Sequence, residues 1–549
     1  MKNYQVGGHI VDVVNKRLFD GTINVVDGRI SEIRECLVPQ DAPYIMPGFI
    51  DSHIHIESTL LSPAQYAALA VTKGVVAIAT DPHEIANVCG MEGMDFMMGN
   101  AAKVRFHFHF GAPSCVPCTG FETAGAVLDH NDIASLLKKD EVYGVAEFMN
   151  AFGVVSGDPE CQAKLKAAVD AGKPVDGHAP GIGGDMLRDY AAAGITTDHE
   201  CVTLEEGQER LDCGIKVQIR EGSAASDFEA LSPLLASNGD NLMFCSDDKY
   251  PNELKEGYID TMVSKSVKKG YPLWNVLNAA CLTPAIHYNM KHGLLREGDA
   301  ADFIVVDSLT NFNVLATYID GVKVFGDGAL VKEAFFIDDT PQRGYPNKFE
   351  AERIEASDLR VKKTGEVLKV MVARDLSLRT GLERTVPKTE NGFVVPDIDR
   401  DILKLVVYNR YVEAAPQVAF IKGFNLKSGA MASTIAHDSH NIIAIGTSDE
   451  EIAKVINALV EIKGGIAISD GRTMNSLPLP IAGLMTPEDG DKVAEKYRLL
   501  KRQASAQGCP FNAPYMTMAF MALPVIPDIK LTDKGLFDAT AFTFTSLME

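Results

Sequence analysis

Between Gly48 and Asp248 the chain repeats one pattern eight times: a short apolar run, then a stretch with the mixed spacing of a helix. The runs are GFIDSHIH, VVAIATDPHE, VRFHFHFGAP, VYGVAEFMN, PVDGHAP, ITTDHE, KVQIREGS and NLMFCSDD. A spacing of roughly 20 to 35 residues is the rhythm of repeated strand and helix units. Eight parallel strands in roughly 240 residues match a closed (β/α)8 barrel, whose active site lies at the C-terminal strand ends. The expected fold class is therefore α/β, with a barrel of this type at its centre. The polar residues follow that geometry. His53 and His55, Asp81 to Glu84, Glu147, His178, His199 and Asp247 all fall at the C-terminal end of their run, where random placement would scatter them.

Side chains alternate faces along a strand, so His53 and His55 share a face with Cα atoms roughly 6.5–7 Å apart. That is close enough to grip one ion from one side. Hydrolytic metal sites use imidazole nitrogens and carboxylate oxygens and leave a position for water. His53, His55, Glu147, His178, His199 and Asp247 provide such ligands from strands one, four, five, six and eight, enough for two divalent ions with Glu147 between them. Singly, each also fits a structural role: Glu147 paired with a lysine, His178 capping a helix, Asp247 at a helix N-cap. Together, at one end of one barrel, they make a metal centre.

Other patterns carry less. His55-Ile56-Glu57 with Cys115-Val116-Pro117-Cys118 approximates the ligand set of cytidine-type zinc deaminases. Ser114 stands where that set has proline, and the remaining histidines and the eight strands would go unused. GHAPGIGG lacks the spacing of a dinucleotide loop, and no Gly-x-x-x-x-Gly-Lys-Ser/Thr occurs. His107 and His109 read as packed strand residues.

Outside the barrel, His9 to Ile45 read as short strands, with Asp20-Gly21 and Asp27-Gly28 as hairpin turns. The same texture returns from Gly293 to Gly328. Residues 1–45 and 291–343 are thus expected to form one β-sandwich split around a barrel at 46–290, with an αβ domain at 344–549. In that last part NKFEAERIEASDLRVKK reads as a charged linker or exposed helix. Ser448 and Glu451 have capping-box spacing for EEIAKVINALVEI, Gly464-Gly465 ends that helix, and IAISDGR returns as a strand. His437-Asp438-Ser439-His440 reads as loop histidines beside an acid.

A chain of 549 residues is too long for one core. No apolar run reaches the roughly 18–20 residues of a membrane span, and MKNYQVGGHIVDVV lacks the apolar core and cleavage site of a secretory signal. Ten scattered cysteines fit reduced thiols, so a cytoplasmic location is expected. A net charge of −22 argues against nucleic acid as partner, because phosphate backbones are bound by clustered lysine and arginine. A small, near-neutral substrate is the expected partner. Assembly with further copies of the chain is compatible with the sequence and not specified by it.

PGFIDSHIHIES, followed by DPHEIANVCG, SCVP, GVAEFMN, GHAPG, TTDHE and FCSDD, closely resembles the adenine deaminase family of the amidohydrolase superfamily. HDSHNIIAIG, GGIAISDG and LPLPIAGLM resemble that family's final domain, so the likeness covers nearly the whole chain. The resemblance implies hydrolysis of adenine to hypoxanthine and ammonia, with Glu147 as bridging ligand in place of the carboxylated lysine of many binuclear amidohydrolases. It favours manganese or iron, with zinc compatible. Asp247 is the expected proton shuttle between water and the leaving amine. Glu84 or Glu147 is the expected acid for N1, and His83 would polarise the tetrahedral centre. Arg220, Glu57 and Asp248 are the expected substrate contacts. The alternatives are a cyclic amidohydrolase of the hydantoinase or dihydroorotase kind, and a non-catalytic metal-binding protein on the same barrel.

Overall fold

The computed structural model describes residues 3–335, 337 and 344–549. The N-terminal strands are β1 (Tyr4–Asp12), β2 (Arg17–Val26), β3 (Arg29–Glu35) and β4 (Tyr44–Pro47). Along β2, Gly21, Ile23 and Val25 are buried in alternation with less buried neighbours, the period-two pattern of a strand with one covered face. Asp20-Gly21, expected to be a turn, lies inside this strand. The signal misleads because Gly21 serves a close approach: a Cβ there would stand 2.7 Å from the Arg34 carbonyl oxygen. Asp27-Gly28 does form the β2–β3 turn, both residues having positive φ.

The chain then builds the barrel from β5 (Phe49–Ile54), β6 (Val75–Thr80), β7 (His107–Ala112), β8 (Val142–Phe148), β9 (Val175–Gly177), β10 (Ile195–Asp198), β11 (Lys216–Arg220) and β12 (Leu242–Cys245). Neighbours in this series pair in parallel, in chain order. Every residue of β6 and β8 is buried, as expected for parallel strands covered on both faces. Just past the last strand, Ile54 and Asp247 form a parallel bridge. The Asp247 amide donates to the His53 carbonyl at 2.9 Å, and the His55 amide to the Asp247 carbonyl at 3.3 Å. Ring closure thereby sets Asp247 beside both histidines.

After the barrel come β13 (Phe303–Val306), β14 (Val314–Ile319), β15 (Val322–Gly326) and β16 (Ala329–Leu330). β13 pairs antiparallel with β4, so these strands and β1–β4 form a single eight-stranded sheet. The expected boundary at residue 343 lies outside the described residues.

The C-terminal part holds another eight-stranded sheet, from Ser377–Thr385 at one edge to Met474–Pro478 at the other. Helix Asp449–Ile462 packs Ile452, Val455, Ile456 and Leu459 against it. Ser448 caps that helix by accepting from the Glu451 amide, but the Glu451 carboxylate accepts from Ser469 instead of completing a capping box. The stretch NKFEAERIEASDLRVKK is neither a free linker nor a helix of any length. Phe349, Ala351, Ile354 and Leu359 are buried in the same core, and only Ala356–Leu359 makes a helical turn. Thr486 exchanges backbone hydrogen bonds with Leu60 and Ser62, and Tyr497 stacks on Tyr250 at 4.1 Å. These contacts seat the C-terminal part against the barrel mouth.

Candidate active site

At the barrel mouth β5 carries His53 near its end, and His55 follows the strand directly. His55 Nδ1 is 3.0 Å from the Asp81 carbonyl oxygen, which orients the ring and leaves Nε2 for the site. His55 Nε2 stands 3.3 Å from Glu147 Oε1 and 3.1 Å from Asp247 Oδ1, while His53 Nε2 is 3.6 Å from that same Asp247 oxygen. The other Glu147 oxygen faces the opposite way. Oε2 is 2.7 Å from His178 Nδ1 and 3.2 Å from His199 Nε2. One carboxylate thus divides its oxygens between two groups of donors.

These groups fit divalent ions. Ligand atoms held about 2.0–2.1 Å from one tetrahedral ion stand about 3.3 Å apart, close to most of the separations above. His53 Nε2, which faces Asp247, is buried with no hydrogen-bond partner, a condition that buried polar atoms rarely tolerate. Burial acts to raise the Glu147 carboxyl, but the charge of His178 and hydrogen bonds from His178, His199 and His55 outweigh it and hold the group well below the usual range. Asp247 behaves alike: burial is opposed by His53, His55, His199 and Arg220, and the carboxyl lies well below its ordinary value.

The structure places the other expected residues unevenly. Asp248 lines the central cavity with Asp247 and His83. His83 is held by Asp81 at 3.0 Å and reaches to 3.5 Å from Glu147. Arg220 is 1% exposed and lies outside the cavity wall, bonded to Glu200, Asp227 and Asp247. Glu84 and Glu57 stand one layer behind the wall. The Ser58 hydroxyl connects Glu84 to it, lying 3.0 Å from Glu84 Oε1 and 2.5 Å from Asp248 Oδ1. Burial raises the Glu84 carboxyl, with the Asp248 charge adding and His437 opposing. Burial and Glu84 together push Glu57 up to about 8.

The cavity is narrow, with about 20 Å³ of free space, room for about one water. Its apolar wall is Met149 with Leu378, Phe520, Leu523 and Ile526 from the C-terminal part. His437 and Asp438 complete it, with His437 stacked 4.4 Å from the Phe520 ring. Sequence reasoning set the HDSH segment aside and gave no signal for Phe520 or Leu378. Glu200 also lines the cavity and was missed, although it follows His199 directly in TTDHE.

A parallel barrel whose mouth gathers buried imidazoles around a dividing carboxylate is what metal-dependent amidohydrolases are built on, and residues 44–324 match the Amidohydrolase family. Residues 377–543 match the Adenine deaminase C-terminal domain. The chain is 47% identical to an adenine deaminase of Salinibacter ruber, over 99% of this chain and 98% of that one. It is 45% identical to an adenine deaminase of Methanosarcina mazei, over 100% of this chain and 99% of that one. The chain belongs to the adenine deaminase family.

Proposed function

We propose that the chain hydrolyses adenine to hypoxanthine and ammonia, using two divalent ions shared through Glu147. The observation that carries this reading is the cavity lining: six converging metal donors on one side and, on the other, an apolar wall that suits the flat face of a heterocycle. The donor set of imidazoles and carboxylates without thiolate suits manganese or iron, and also zinc. His53, His55 and Asp247 would hold one ion and His178 and His199 the other.

An ion held by these residues would supply a water acidic enough to act as nucleophile near neutral pH. Asp247 takes the proton from the attacking water and returns it to the amine leaving C6, as a positioned acid and base does. Arg220 acts on Asp247, fixing its second oxygen at 2.9 Å, and not on the purine. Attack at C6 pushes electron density onto N1. Glu147 is held as an anion by three histidines, so Glu84, whose carboxyl is raised, is the proton source. Its proton reaches the cavity through Ser58 and Asp248. His83 polarises the reacting centre from beside Glu147.

The division into 1–45, 46–290, 291–343 and 344–549 is kept as a proposal, supported by the joining of β4 and β13 in one sheet. Among the described residues no helix is long and apolar enough to cross a membrane. All ten cysteines are free, which supports a reducing compartment such as the cytoplasm.

The test is metal analysis together with ammonia release from adenine, adenosine, AMP, cytosine and guanine. Adenine is expected to be preferred, and AMP to be strongly disfavoured because, among the described residues, no lysine or arginine lines the cavity to meet a phosphate. Ring opening of a cyclic amide without ammonia release would replace this reading.

A further inference from the structure

A carboxylate at the far wall of the cavity has no role in the chemistry at C6. Asp438 comes from the loop before the strand Ile442–Gly446, is 3% exposed, and lines the cavity. Its Oδ2 is buried with no hydrogen-bond partner. Leaving such an oxygen unpaired costs about 1–3 kcal/mol or more when the group is charged, so a donor is missing from this wall. His83 locates it: the ring stands 3.5 Å from Glu147 Oε1 by one nitrogen and 3.6 Å from Asp438 Oδ1 by the other. Asp438 is therefore one imidazole ring farther from the metal centre than Glu147. In a purine whose C6 faces that centre, the far end is the five-membered ring, which in free adenine carries an N–H. A nucleoside has its sugar on N9 instead.

We infer that Asp438 is the residue that selects the free base, by accepting the hydrogen bond of the purine imidazole N–H through Oδ2. His437, beside it on the same wall, also has an unpartnered buried nitrogen, Nε2. As an N–H, that nitrogen places a donor on the wall beside the Asp438 acceptor. A donor next to an acceptor matches N3 next to N9–H, the edge that ribosylation destroys. The C-terminal part would then read the end of the purine remote from the chemistry, while the barrel acts on C6.

This inference rests on the adenine reading, and the experiment separates the two. The metal-loaded enzyme and its Asp438→Asn and Asp438→Ala variants are compared on adenine and 9-methyladenine. Sites built to bond a substrate N–H reject analogues lacking it by about 10⁴–10⁵-fold, and the unmodified enzyme should show a preference of that order in kcat/KM. Asp438→Ala should cut the preference at least about tenfold, through loss on adenine with little change on 9-methyladenine. Asp438→Asn keeps an acceptor without the charge and should fall between. Metal content should be unchanged in both. An unaltered preference in both variants overturns the inference. Where turnover falls below detection, equilibrium binding of the same two purines gives the same decision. Absence of ammonia release from adenine by the unmodified enzyme would instead remove the functional reading itself.

Discussion

The barrel interior carries two polar layers that differ in composition and are opposite in state. On four strands a residue of the deeper layer precedes one of the mouth by two positions, and so shares its face: Asp51 and His53, Asp176 and His178, Thr197 and His199, Gln218 and Arg220. The deeper layer is bonded within itself. Asp51 accepts from Ser246 at 2.5 Å and Tyr258 at 2.6 Å, and Asp176 from Tyr143 and Thr197 at 2.7 Å and Tyr288 at 3.1 Å. Among these residues only Gln218 Oε1 lacks a partner. At the mouth, nitrogens of His53, His83, His178 and His199 are all left over. The difference teaches that polarity inside the barrel does not mark function. What marks it is hydrogen-bonding capacity that the chain itself leaves unmet.

If that contrast is sound, substitutions in the two layers must fail in different ways. The largest effect is expected at Glu147, because both donor groups depend on it. Glu147→Ala should lower bound metal and abolish activity by on the order of 10⁴-fold or more. Full metal occupancy in that variant would remove its bridging role. Asp247→Asn keeps size and most hydrogen bonds but removes the base. The rate should drop about 10²–10⁴-fold with metal content near normal, and a rate within about tenfold of the unmodified enzyme would contradict the assignment.

In the deeper layer the loss should be one of stability. Tyr258→Phe takes a hydrogen bond from Asp51 and breaks the 2.6 Å contact with Tyr66, at about 1–3 kcal/mol. Metal content and KM for adenine should not change. A variant that kept its Tm and lost metal would break the comparison. The smallest effect concerns Glu57, raised to about 8 from 4.5. The folded chain keeps a proton there that the unfolded chain releases near pH 4.5. Its stabilising share is therefore fully present below about pH 4.5 and is lost as pH rises towards 8, at up to about 1.4 kcal/mol per pH unit. Glu57→Gln should flatten the decline of Tm with pH across that window. An unchanged slope would show that Glu57 is ionised in the folded state.

The sequence by itself determined the barrel and the cluster of imidazoles and carboxylates at its mouth, because both are written in local periodicity. A strand alternates faces every residue, and each run ends where its strand leaves the barrel, so His53, His55, Glu147, His178, His199 and Asp247 could be placed at one mouth before any contact was known. Only the tertiary structure decided how those residues share their bonds. Arg220 looked free in the sequence, yet three carboxylates from other parts of the barrel occupy it. The HDSH segment looked like a loop, yet it stands over the catalytic cavity, its His437 Nδ1 3.9 Å from Glu84 in a residue pair more than 350 positions apart. Nothing local encodes such a meeting. It follows from the packing of a separate sheet on the barrel mouth, and packing is set by the summed burial of surfaces that no single stretch of sequence contains.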